Sequence, residues 1–444
     1  ALRLEPASLS PADRAPPPNR HRAALAAMQG VVGGKSIVSS SLLMLSAGIG
    51  TGVLVLPRAM ADVGVVPFLA LLAVGCALSA FTTWILFCAV AKCKGAGLGE
   101  GLLTHADSAL FQRKPSLTQD GRWPAYADLL LMEMPPCAST ALDVLLVLYA
   151  EGAIMTYFLF LADFLSKLAF WRRAIDQNST IALMAGVTFL LSMFPTVGGL
   201  ARLSSVGLVA LSCMAVGIWY REPEHAALRA APTVAVGDLE TLPAVFCISV
   251  YAFMWHTNCV TVARELYNPT AKRCLVVAVA STVLLYIVYA LIAFGGYLSW
   301  GDELAASRSI VAMYAEDDPL FVVIRILLSV AMVITTAVNV YPLRESLTGL
   351  AKSLAGCKSG GVSHVVWGAV IVVVAACLAV AFPDVVVLIT LMGGTLATML
   401  MVVFPSIIAK MVLGSRAWRL TMVINSVFVV VLILAGFGLI GRQA

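Results

Sequence analysis

The segment Ser36–Met60, SIVSSSLLMLSAGIGTGVLVLPRAM, is long and apolar enough to cross a bilayer, yet it carries a break in its middle. Gly48, Gly50 and Gly52 fall close together and Pro57 follows. Each glycine weakens a helix by roughly 1 kcal/mol relative to alanine. In lipid, unwound backbone is tolerated only where protein buries it or where it lines a cavity. Chains that carry solutes across membranes hold them at such interrupted helices, near the bilayer midplane. The segment therefore predicts a broken helix beside a binding site.

The rest of the chain is of the same material. It is 60% hydrophobic and 12% charged, with a mean hydropathy of +0.94. Soluble domains average about 25% charged residues. Apolar length and breakers predict eleven spans, at 36–60, 64–91, 139–168, 179–194, 200–219, 241–262, 274–299, 319–343, 363–381, 385–412 and 418–440. The expected fold class is an all-α membrane protein of eleven transmembrane helices, with one transporter domain over 36–440. Residues 1–35 are rich in Pro, Ala and Arg and lack an apolar period, which predicts a disordered cytoplasmic tail. Gly95 to Gly121 is a second polar stretch.

With the N-terminus in the cytoplasm, most of the 29 Lys and Arg fall on the inner side, as the positive-inside rule requires. Asn178-Ser179-Thr180 then lies in an outer loop and is a candidate glycosylation site. None of the ten cysteines falls in an outer loop, so no structural disulfide is expected.

A faint internal repeat runs through the spans. Phe194-Pro195-Thr196-Val197 opens span 5 and Phe382-Pro383-Asp384-Val385 opens span 10, with glycines following at Gly207 and at Gly393-Gly394. The two spans start on opposite sides, as two five-helix halves of inverted topology require. Phe-Pro is also common where helices begin, and alone it proves little. Joined to a broken span 1, the repeat predicts a second break in span 6. There Tyr251 to Asn258 is more polar and aromatic than its flanks.

Four blocks in order resemble one family, the amino acid/auxin permeases, which include the sodium-coupled neutral amino acid transporters and the amino acid permeases of trypanosomatid parasites. Gly50-Thr51-Gly52-Val53-Leu54 with Leu56-Pro57 resembles the family's first-helix motif. Ala252-Phe253-Met254-Trp255-His256-Thr257, with Glu265 and Asn268-Pro269, resembles its sixth-helix block. Tyr341-Pro342-Leu343-Arg344-Glu345-Ser346 is similar to its end of span 8. Leu391-Met392-Gly393-Gly394-Thr395 with Phe404-Pro405 is similar to its tenth-helix signature. The resemblance covers about residues 36 to 438. It implies a LeuT-like core of five plus five inverted helices and one more, with spans 1 and 6 unwound around an amino acid.

Chemistry gives the same arrangement. N–H groups at a half-helix start suit a carboxylate, and unwound carbonyls suit an ammonium group. The candidate substrate-binding residues are Gly48, Gly50, Thr51, Gly52, Tyr251, Phe253, Met254 and Thr257. Sodium-coupled relatives carry an Asn where this chain has Ser46, and use a span 8 hydroxyl, for which Thr335 and Thr336 are the candidates. Protons are therefore the first coupling ion expected, with sodium as the alternative and uncoupled exchange also open. No cofactor is expected.

Ionisable groups inside spans are costly and mark function by default. Glu151 lies midway along span 3. It is read as a proton acceptor or as a counter-charge for a cationic substrate, against a bland role as partner to a polar neighbour. His256 is a candidate in coupling, against a packed structural imidazole. Arg325 is expected to reach for the membrane surface from the outer end of span 8. Arg264-Glu265 and Arg344-Glu345 are read as gate ion pairs or topology anchors.

The leading reading is a secondary active carrier of neutral amino acids. A carrier of arginine or lysine and an amino acid sensor of the same fold are kept as alternatives. An enzyme is not expected, since neither H-E-x-x-H nor G-x-S-x-G occurs. The partners expected are a free amino acid and the lipid bilayer, with no nucleic acid. The plasma membrane is the first location expected, and a vacuolar or lysosomal membrane the second.

Overall fold

The computed structural model describes residues 35–93, 126–193, 205–229, 232–355 and 363–443. The tail, apart from Lys35, lies outside them, as do the polar stretch at Gly95–Gly121 and the Phe-Pro opening of span 5. The described residues are helical throughout, apart from loops and one isolated bridge between Lys35 and Leu266.

The principal helices are α1 (Ile37–Gly48), α2 (Leu56–Val63), α3 (Val65–Cys93), α4 (Pro136–Ser166), α5 (Gln177–Ser192), α6 (Ser205–Leu228), α7 (Leu242–Ala252) and α8 (His256–Glu265). They are followed by α9 (Ala271–Trp300), α10 (Pro319–Ala355), α11 (Ser363–Ala381), α12 (Val385–Met392), α13 (Phe404–Val412) and α14 (Ser415–Gln443). Counting collinear pieces together, seven helical stretches among the described residues are long and apolar enough to cross a membrane. Ile37–Gly48 and Val365–Ala381 are shorter apolar helices. The starts follow local chemistry. Ser36 caps α1, Thr270 caps α9, and the Asp384 carboxylate accepts from Val386 and Val387 N–H at 3.0 and 3.1 Å to start α12.

Two helical lines are interrupted. Between α1 and α2 lie non-helical Ile49 and Gly50, then a short 3₁₀ turn, Thr51–Leu54. Between α7 and α8, Phe253, Met254 and Trp255 leave the helix. The two lines are tied together at both ends. At one end Lys35 exchanges backbone bonds with Glu265 and Tyr267 and its ammonium meets the Glu265 carboxylate at 2.6 Å. At the other, the segment Val234–Asp238 pairs with the turn at Gly64.

Between α12 and α13 the chain does not break. It widens into two π-helical turns, Gly393–Ala397 and Met399–Val403. A Cβ at Gly393 would collide with the Cys247 carbonyl of α7, and one at Gly394 would sit 2.7 Å from the Leu432 carbonyl of α14. The glycine pair therefore lets three backbones meet. Outward, α14 exposes Leu420, Val423, Val427, Val430 and Leu434, a face suited to lipid.

The Gly64 end is closed by the loop from Gly301 to Asp318. Arg58 of α2 donates to the Ser307 carbonyl at 3.0 Å, and Ser309 donates to the Asp163 carboxylate of α4 at 3.2 Å. Arg325 does not reach for the surface as the sequence suggested. Its side chain is fully buried and its guanidinium donates to the carbonyls of Ala315, Val311 and Tyr314 at 3.1, 3.2 and 2.6 Å. Three charge-assisted bonds outcompete snorkelling. Arg325→Leu should therefore cost on the order of 3 kcal/mol. Thermal unfolding in detergent checks this, with exposed Arg173→Leu as the neutral control; equal midpoints would refute the clamp.

Candidate functional site

The two interruptions meet at one cavity of about 120 Å³. A single water needs roughly 10–15 Å³ on this measure, so the space suits a small solute. It is lined by Ala47, Gly48, Gly50, Thr51 and Gly52 from the first break, and by Tyr251, Ala252, Met254, Thr257 and Asn258 from the second. From α4 come Leu146, Tyr149, Ala150, Ala153 and Tyr157, spaced as one helical face. From α10 come Asn339, Pro342, Leu343 and Ser346, also one face. These residues lie at the level of the breaks or on the Lys35 side of them. No charged side chain is among them.

Each break brings a carbonyl end and an N–H end to the cavity. α1 ends at Gly48 and α7 at Ala252, which present partial negative charge. The Thr51 turn and α8 begin there and present N–H groups without helical acceptors. Several carbonyls are already engaged. The Tyr289 hydroxyl bonds those of Gly48 and Ala252 at 2.8 and 3.1 Å, and Ser79 donates to that of Phe253 at 3.1 Å. The Met254 carbonyl has only a long contact, 3.5 Å from the Tyr149 hydroxyl.

Beside the first break three hydroxyls form a triangle. Thr51 Oγ1 lies 2.9 Å from Thr156 Oγ1 and 3.0 Å from the Tyr251 hydroxyl, and the last two are 3.2 Å apart. Thr156 donates to the Ala153 carbonyl at 2.7 Å. All three are buried. At Gly52 the two broken lines come into backbone contact: a Cβ there would stand 2.9 Å from Ala252 Cα.

The family described as "Transmembrane amino acid transporter protein" matches residues 33–442. The chain belongs to this family. A Toxoplasma gondii protein described as an amino acid transporter, AAT1, is 29% identical over 325 residues, 72% of this chain and 41% of that protein. Solute carrier family 38 member 8 of Mus musculus is 26% identical over 171 residues, 38% of each chain. The aligned region thus spans about two fifths of the length of each of these relatives, which are transporters and not enzymes. Among solved structures, a manganese transporter of Eremococcus coleocola, bound to an aromatic bis-isothiourea compound, has a TM-score of 0.56 at 10% identity. The likeness covers 92% of this chain and 86% of that one. A mutant of the same transporter gives a TM-score of 0.57 over 98% and 91%. At that identity the likeness shows the fold alone.

Within this family member, the substrate-site candidates Gly48, Gly50, Thr51, Gly52, Tyr251, Met254 and Thr257 all line the cavity. Phe253 does not; it is fully buried against Tyr289, with ring centroids 5.5 Å apart. The coupling candidates stand off the lining. Thr335 and Thr336 donate back to Ala331 and Met332, one turn from Asn339. Glu151 is turned about 140° around α4 from the cavity face. Its carboxyl meets the backbone at Ala375 of α11, and Oε1 is buried without a partner. His256 is fully buried. Thr82 gives its hydrogen to the Leu78 carbonyl, so its oxygen accepts from His256 Nε2–H at 2.8 Å, leaving Nδ1 a lone pair without a partner. Asn178 is exposed at the start of α5. Glu265 pairs with Lys35, and Arg344 is buried and donates to the Ser192 carbonyl at 3.0 Å.

Sequence reasoning missed Tyr149, Thr156, Tyr157, Asn258, Tyr289 and Asn339. The lining faces of α4 and α10 repeat at three and four residues. That period gave a usable signal once the cavity side of either helix was known.

Proposed function

We propose that the chain carries neutral amino acids across a membrane by alternating access, coupled to protons. One observation carries the reading: two broken helices bring two N–H ends and two carbonyl ends to a cavity without a charged side chain. That pattern matches the carboxylate and ammonium of a free amino acid. A cationic side chain would meet no carboxylate there, and Glu151 faces α11 instead. In this reading the chain has eleven spans, ten of them in two inverted halves, and the helical lines α1–α2 and α7–α8 are the unwound spans 1 and 6. The Lys35 end faces the cytoplasm of a plasma membrane. The cavity then extends inward, and the Gly301–Asp318 loop closes the outer side.

Proton coupling is supported by Ser46 in the place of the sodium-associated Asn and by the unpartnered Glu151 carboxyl oxygen. Uptake into liposomes across a panel of amino acids, with proton and sodium gradients imposed separately, is the test. A pH gradient should change neutral amino acid uptake several-fold, while replacing sodium by choline leaves it nearly unchanged. Steep sodium dependence at constant pH would overturn the coupling and bring Ser46, Thr335 and Thr336 forward as ligands. Uptake confined to arginine and lysine would overturn the neutral assignment.

A further inference from the structure

The helix ends at the breaks answer the charged groups common to all amino acids. They leave unexplained the polar side chains that line the same cavity on the Lys35 side. Asn339 and Ser346 of α10 and Asn258 of α8 line it. Asn339 and Asn258 are half-buried, and neither side chain has a hydrogen-bond partner among the described residues. Each carboxamide carries two N–H donors and an acceptor oxygen. Pro342 lies on the same face and inside the helix. It leaves the Val338 carbonyl, four residues back, without its helical donor. This wall therefore offers donors and acceptors together, and no charge.

That mixture discriminates. An apolar side chain pressed against it would strip water from the amides and return nothing. An ammonium or guanidinium would find carbonyl oxygens but no counter-charge. A carboxamide presents two donors and an acceptor of its own, so it can pair with an asparagine amide through two parallel hydrogen bonds.

We infer that Asn339 and Asn258 select substrates whose side chain ends in a carboxamide over apolar side chains of the same size. The inference rests on the cavity's being an amino acid site. It adds what the site reads beyond the α-carbon, and makes Asn339 and Asn258 the residues that set specificity.

Asparagine and leucine are near-isosteric and separate the cases. In detergent, the purified full chain should bind asparagine at least about tenfold more tightly than leucine, read by scintillation proximity with unlabelled competitors. Inhibition of uptake into liposomes should follow the same order. Asn339→Leu and Asn258→Leu should each bring the ratio toward one. If one variant fails to fold, the other and the wild-type ratio decide. Leucine binding as well as asparagine in the wild type overturns the inference. So does a ratio unchanged in the folded variants. Selective asparagine binding without uptake of any amino acid keeps the inference and removes the transport reading. Uptake of leucine as readily as asparagine keeps transport and removes the inference.

Discussion

Gly50→Val should insert and unfold at the wild-type temperature, yet lose amino acid uptake by about a hundredfold or more. Gly50 has φ −114° and ψ −172°, extended backbone that valine adopts without strain. The nearest atom to an added Cβ is the Tyr157 hydroxyl at 3.8 Å, so the new methyl groups enter the cavity and not the core. A substrate displaced by even about 1 Å from the N–H groups loses on the order of a hundredfold. Gly52→Val should behave differently. Its Cβ would stand 2.9 Å from the Ala252 backbone, so the two broken lines must separate. That variant should lose both uptake and roughly 1–3 kcal/mol or more of stability. Labelled uptake at matched membrane expression, paired with thermal unfolding, distinguishes the two. Near-normal uptake by Gly50→Val would remove this break from the substrate's path.

The contrast between these glycines shows what the sequence could and could not carry. Glycines at 48, 50 and 52 in an apolar span announce a break, because lipid penalises loose backbone wherever it occurs. Which glycine is a packing contact and which is open space depends on the partner. Ala252 is some two hundred residues away along the chain, and no local pattern encodes that approach. The interruption between α7 and α8 was legible for the same reason as the one between α1 and α2, since the polar and aromatic run from Tyr251 to Asn258 stands out against apolar flanks.

Glu151 illustrates the limit from the other side. Its rarity in a span marked it, but its direction was set by rotation about α4. Tyr149, Ala150 and Ala153 face the cavity and leave Glu151 on α11. Residue type gave the anomaly, and only the position of α4 among its neighbours gave the address. Arg325 was misjudged for a related reason. A sequence shows a charge near a span end, but not the three loop carbonyls that fold back over it.

Tyr251→Phe should lower kcat/KM for uptake roughly 5- to 30-fold, the equivalent of about 1–2 kcal/mol. Hydrogen counting gives the reason. Thr51, Thr156 and Tyr251 share four contacts, counting the Ala153 carbonyl, but own only three hydrogens. Since Thr156 spends its hydrogen on Ala153, Thr51 and Tyr251 have two hydrogens for the three sides of the triangle. One side always lacks a proton and faces two lone pairs. Thr51 and Tyr251 line the cavity, so a substrate N–H can supply the missing hydrogen there. Removing the Tyr251 oxygen deletes both the acceptor and the tie between α7 and the first break. Thr51→Val removes the same triangle from the other line while keeping the side chain's shape. The double variant should therefore be much less impaired than the product of the singles, with a coupling of about 0.5–1.5 kcal/mol. Strict additivity in kcat/KM would show that the two hydroxyls act independently, and the triangle would then be packing without a role in substrate binding.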